Sequence, residues 1–219
     1  FREGSLHAAL KARYARAIDG ARVEAEVDGF VVDVVGHDEL VEIQTGSFAS
    51  IRRKLERLLE SHRVVLVYPI AVVKWLVRVD ADGVVVSRRR SPKRGLPLDV
   101  FDELVHAMTF IVHPDARIDL AFIHEEEIRG PVPDGVRYRY PRAWRRVDRR
   151  LLDVIETRRL DSPADLLRLL PDGLPEPCLF PHHIVGNAIG DGFEVRERRR
   201  QDDLADGHAR GARQAVDQA

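Results

Sequence analysis

The chain has a single cysteine, Cys178, so no internal disulfide can form. This excludes a disulfide-stapled scaffold and predicts a reducing, cytoplasmic setting. Cys178 with His182 and His183 finds no completing partner at zinc-site spacing, which leaves a zinc knuckle out. No apolar run approaches the roughly 20 residues of a membrane-spanning helix, so no membrane partner is expected. No signal peptide is visible, and the chain starts at Phe1 rather than Met, as a fragment would. Excess charge is also missing: 35 Lys and Arg meet 36 Asp and Glu, for a net charge of −1. A uniformly basic nucleic-acid coat is thereby excluded, and any such contact must come from local arginine clusters. What is present is a 44% hydrophobic chain of 219 residues, enough for one sizeable domain or two small ones.

The apolar pattern gives an order of elements. Ser5 can cap a helix through about Ala17, with Leu6, Leu10 and Tyr14 at helical spacing. Ala21–Val27 alternates as a strand, Asp28-Gly29 is a hairpin turn, and Phe30–Val35 and Leu40–Thr45 complete a three-stranded meander. A second helix starts at Ser47, with Phe48, Ile51, Leu55, Leu58 and Leu59 as its buried stripe. Arg63–Pro69 is apolar throughout, as a strand covered on both faces is. Val72–Val79 and Gly83–Ser87 read as further strands, Ser87–Gly95 as a basic loop, Leu98–Val112 as an amphipathic helix and Ile118–Ile128 as an added strand. Val147–Thr157 and Ser162–Leu170 read as two short helices at the start of a winged-helix-like module. The expected division is a domain over 1–130, a helical region over 131–185 and an atypical or disordered tail over 186–219.

Two acids and an amide interrupt the apolar meander. Glu42 and Gln44 share one face of their strand, and Asp33 lies on the neighbouring strand, where it can come close to Glu42. Val31 and Val35 flank Asp33 on its face, so a plainly solvated sheet face does not account for these residues. Paired carboxylates repel unless a cation neutralises them, and Mg²⁺ favours a few carboxylates plus waters and a phosphate.

Here the sequence resembles the PD-(D/E)XK nuclease superfamily. That motif places an acid on one strand and (D/E)-X-K on the next. Asp33 and Glu42 match the acids, and Gln44 stands at the lysine position. The order helix, three strands, helix, strand over residues 5–69 matches as well. The resemblance implies an α/β fold with a restriction-endonuclease-like αβββαβ core and a mixed sheet, followed by a small helical C-terminal region. It implies a nuclease that hydrolyses nucleic-acid phosphodiesters, with DNA as the expected substrate and Mg²⁺ or Mn²⁺ as cofactor. Asp33, Glu42 and Glu3 are then the metal candidates, and Asp33, Glu42 and Gln44 the catalytic ones. His7 is an alternative on the first helix, and Glu24 and Glu26 on the first strand. Arg53, Lys54, Arg88, Arg89 and Arg90 are the candidates for gripping the backbone, and a homodimer would allow both strands to be cut. A non-catalytic nucleic-acid-binding module on the same fold is the alternative that Gln44 motivates. "HEEE" at His124–Glu127 is discounted as a metal cluster, because adjacent strand residues point to opposite faces.

Overall fold

In a computed structural model of the protein, the described residues are 3–133, 135 and 143–171. The chain divides into a unit over Phe1–Leu170 and another over Pro171–Ala219, and the account below concerns the first. The expected tail over 186–219, and Cys178, His182 and His183, lie outside the described residues.

The fold is α/β, with a seven-stranded mixed sheet ordered β1-β2-β3-β4-β6-β7, β5 pairing with β4. Helix α1 (Ser5–Ala17) precedes the antiparallel meander of β1 (Arg22–Val27), β2 (Phe30–Val35) and β3 (Leu40–Ile43). Asp28 and Gly29 both take positive φ, as a tight hairpin requires. A short 3-10 turn, Phe48–Ser50, leads into α2 (Arg52–Leu59), and the chain returns as β4 (Val64–Val79), parallel to β3. Strand β5 (Val85–Arg90) is antiparallel to the far half of β4. Helices α3 (Val100–Leu104) and α4 (Met108–Ile111) carry the chain over to β6 (Ala116–Pro131), also parallel to β4. Strand β7 (Trp144–Leu160) runs antiparallel to β6, and α5 (Pro163–Leu167) follows.

Two apolar layers sandwich the sheet. On one face Leu6 and Leu10 of α1 pack on Val34, Val41, Ile43, Val65, Val67 and Ile123. On the other, Phe48, Leu55, Leu58, Val100, Leu104 and Phe110 cover Val64, Leu66, Ile118 and Leu120. Both faces of β3 and the first half of β4 are therefore buried, which is why those stretches read as continuous apolar runs.

Several elements differ from the sequence reading. The two strands expected at Arg63–Pro69 and Val72–Val79 are one strand, β4. Pro69 does not end it because pairing with β3 stops at Val67 and pairing with β5 starts at Trp75, so the missing N–H falls in the gap. The basic loop is half strand: Arg88, Arg89 and Arg90 pair with Val77, Leu76 and Trp75. The helix over Leu98–Val112 is broken at Ala107, whose φ of −142° and ψ of 42° are not helical. The helix over Val147–Thr157 is a strand, so no winged-helix module begins there. Three register shifts between β6 and β7 disrupt the two-residue alternation and left a pattern resembling a helical period. Since β7 pairs along almost all of β6, 144–160 belongs to the same sheet as the first 130 residues. Val31 is 60% exposed and does not help cover Asp33. Finally, Gly4 rather than Ser5 is the cap residue of α1; the Ser5 N–H donates to Asp148 of β7 at 3.1 Å.

Candidate active site

Asp33 and Glu42 come together as expected. The pairs Val34↔Val41 and Val35↔Leu40 continue to place Asp33 opposite Glu42. The Ile43 N–H donates to Asp33 Oδ2 at 2.8 Å, anchoring the carboxylate to the next strand. His7 on α1 presents Nε2 to the same oxygen at 3.2 Å, and its Nδ1 meets Glu3. Burial alone would raise the Asp33 pKa, but His7, the Ile43 amide and the Lys54 charge outweigh it and hold the group below the usual carboxylate range. The hydrogen bond to Asp33 pushes His7 above its ordinary value despite burial.

Glu42 is 3% exposed. Burial pushes its pKa up to about 7, Lys54 opposes this, and the nearby Asp33 adds to it. The Lys54 ammonium lies 2.5 Å from Glu42 Oε1. That approach is off-line, so the oxygen is ion-paired but receives no aligned hydrogen bond. Lys54 donates instead to the Val31 carbonyl.

Strain accompanies this arrangement. Val23↔Val34 and Ala25↔Val32 place Glu24 opposite Asp33, and Glu24 has φ of +52° in mid-strand. A left-handed non-glycine residue costs on the order of 1 kcal/mol. Lys11, itself buried, holds the Glu24 carboxylate at 2.5 Å.

The other candidates separate. Gln44 follows β3, but its amide donates to the Ser47 carbonyl and to Ser50 Oγ at 3.0 Å, so it caps the turn before α2 rather than facing the acids. Glu3 pairs with Lys11 at 2.6 Å and reaches Asp33 only through His7, so it does not complete a three-acid set. Arg53 is exposed on α2. Arg88 is engaged by Glu126 and lies over Trp75 at 3.9 Å, while Arg89 and Arg90 are exposed on β5. In "HEEE", Glu125 and Glu127 both face Lys74, and Glu126 points to Arg88.

Among the described residues, no group of three His, Cys, Asp or Glu is arranged around a common metal position. Asp33 and Glu42 supply the oxygen ligands that a hard cation takes, and a cation there would share Glu42 Oε1 with the Lys54 ammonium.

A family described as a domain of unknown function (DUF8091) matches residues 4–161. The chain belongs to this family. The DUF8091 match takes in α1, the acid pair, Lys54 and the sheet through β7. An uncharacterized protein of Treponema pallidum (strain Nichols) is 33% identical over 177 residues, which is 80% of this chain and 68% of that one. No solved structure matches the chain.

In the sequence of this DUF8091 chain Lys54 reads as a phosphate contact, whereas the structure makes it the partner of Glu42. A signal was present: Ile51, Lys54, Leu55 and Leu58 stand at i, i+3, i+4 and i+7, which puts a charge on the buried stripe. His7, Leu10, Lys11 and Tyr14 show the same phase on α1. Arg149, which reaches the Thr45 carbonyl at 3.2 Å, was hidden by the helix assigned to its segment.

Proposed function

We propose that the protein is a metal-dependent nuclease of restriction-endonuclease-like architecture, hydrolysing phosphodiester bonds of nucleic acid, with DNA the expected substrate. The observation that carries this reading is the Asp33–Glu42 pair on adjacent strands with the Lys54 ammonium on Glu42. The order α1-β1-β2-β3-α2-β4, with β4 parallel to β3, supports it further. Lys54 brings from α2 the positive charge that Gln44 cannot supply from β3.

Asp33 and Glu42 would hold the divalent ion. When bound, Mg²⁺ supplies charge to a phosphoryl oxygen and acidifies a water. His7 and the Ile43 amide keep Asp33 ionised and fixed in place. Lys54 orients the attacking water beside Glu42. That water forms a bond to phosphorus and gives up a proton to solvent, the bond from phosphorus to the leaving oxygen breaks, and the leaving oxygen takes up a proton.

The test is a cleavage assay on single- and double-stranded DNA and RNA with Mg²⁺, Mn²⁺ or EDTA. Cleavage is expected to require metal, to vanish in Glu42→Ala and to fall at least about 100-fold in Lys54→Ala. Metal-dependent cleavage undiminished in Glu42→Ala would remove the site. The second reading is a non-catalytic nucleic-acid-binding module. It is favoured by Gln44, whose amide is turned into the Ser47 cap. Oligonucleotide binding without cleavage on any substrate would select it.

A further inference from the structure

Beyond the acid pair, a group of cations surrounds a recess at the open edge of β4, past the end of β3. The cavity is about 230 Å³, and its walls include Tyr68, Lys74, Lys93, Arg94, Arg149 and one acid, Asp99. Asp99 is already engaged, accepting from the Leu96 N–H at 2.9 Å.

Two of the four cations are held by one buried carboxylate. Glu125 is fully buried, with Lys74 Nζ 3.1 Å from Oε1 and Arg149 Nε 2.8 Å from Oε2. Its single charge positions both side chains; Glu127, which pairs with Arg129, also lies 3.7 Å from Lys74, so three cations share two carboxylates here. The other two cations come from the turn after β5. The Ser91 N–H donates to the Lys74 carbonyl and the Gly95 N–H to the Ala71 carbonyl, each at 2.8 Å. A Cβ on Gly95 would lie 2.8 Å from Ile70 Cγ2 and 3.1 Å from the Ala71 nitrogen, so the close approach needs glycine. Lys93 and Arg94 are exposed and make no ion pair among the described residues. The Tyr68 hydroxyl has no hydrogen bond among those residues either. Burial, with the charges of Glu103 and Asp99, pushes its pKa up to about 12, so it remains a donor.

Convergent ammonium and guanidinium donors beside a hydroxyl are the chemistry that recognises phosphate oxygens. We propose that this recess binds a phosphate group of a nucleic-acid strand. Nucleic acid as the source rests on the nuclease reading. Arg149 links the two sites: it lines this recess, contacts the Thr45 carbonyl three residues past Glu42, and borders a second recess of about 210 Å³ that contains His7.

The test uses the full chain in EDTA, which stops metal-dependent cleavage. Anisotropy is measured with a 3′-labelled single-stranded oligonucleotide carrying either a 5′-phosphate or a 5′-hydroxyl. The variant is the double substitution Lys93→Gln, Arg94→Gln, with the thermal midpoint as the fold control. Its affinity should fall at least about tenfold, and the slope of log affinity against log salt should flatten by about 0.7, the contribution of one phosphate contact on a single strand. Loss confined to the 5′-phosphate probe places a terminal phosphate in the recess, and equal loss on both places an internal one. Either supports the proposal. Wild-type affinity and salt slope in the double variant overturn it, as does failure of wild type to bind either probe. If wild type never cleaves but binding still depends on Lys93 and Arg94, the nuclease reading fails and the phosphate site stands.

Discussion

The two halves of the sheet are held by different means. Where β3, β4 and β6 run together, helices cover both faces, and the buried strand residues are almost all aliphatic. Past Ile123 the helical cover thins to the start of α1, where Ser5 meets Asp148, but β4, β6 and β7 continue, joined by β5. Every residue of β5 is exposed, and β7 exposes Val147, Leu152 and Ile155. Charge pairs and stacked cations tie this half together: Lys74 and Arg149 on Glu125, Arg129 on Glu127, Arg88 on Glu126 and Trp75, and Arg78 over Trp144 at 5.2 Å. The acid pair lies in the first half and the basic recess where the two halves meet. The helix-covered half can fix a buried carboxylate pair, while the extension presents its charges to solvent.

The largest effect should come from the covered half. Phe48 is fully buried and meets Tyr68 edge-on at 5.4 Å between ring centroids. Phe48→Ala removes packing between the sheet and three helical elements, and should cost about 4 kcal/mol in urea denaturation. A loss below about 1 kcal/mol would mean that the helical layer does not hold this half.

The same contrast accounts for what the sequence made legible. In the covered half, alternation and helical phase both report burial, so α1, the meander, α2 and the start of β4 were readable within a few residues. Asp33 and Glu42 stood out because they interrupt apolar strands. In the extension, neither face is simply in or out. The bulges in β6 and β7 scramble the period, and Arg88–Arg90 looked like loop because their partners, Glu126 and Trp75, lie on other strands or far along the chain. The place of Lys54 beside Glu42 is hidden in the sequence for a related reason. Spacing along β3 points to Gln44, and only the position of α2 over the sheet brings Lys54 to Glu42.

Glu42 and Asp119 are buried acids within the covered half; Asp119 is answered by Arg159 at 2.7 Å and Tyr14 at 2.9 Å, and the titration of Glu42 sharpens the contrast. Its folded pKa of about 7 lies above the ordinary glutamate value of 4.5. The unfolded chain therefore ionises first as pH rises, and the stability this group lends below about pH 4 is lost through about pH 7. The shift corresponds to roughly 3 kcal/mol. Against Glu42→Gln in EDTA, wild type should lose that much between about pH 4 and pH 8, while the variant lacks this component. Parallel curves for the two proteins would mean that Lys54 fully compensates the buried charge.

The smallest effect belongs to the extension. Arg88 meets Glu126 at 2.8 Å and covers the Trp75 ring at 3.9 Å, but its side chain is 44% exposed. Solvent screens the ion pair, so Arg88→Ala should cost no more than about 1 kcal/mol. The two contributions separate with salt: the ion pair weakens as ionic strength rises, and the stack, with its packed side-chain stem, persists. A loss that disappears in high salt would assign the contact to Glu126, and one that stays constant would assign it to Trp75. A loss above about 2 kcal/mol, with faster amide exchange along β5, would mean that one side chain clamps the edge strand, and the extension would then be as cooperative as the helix-covered half.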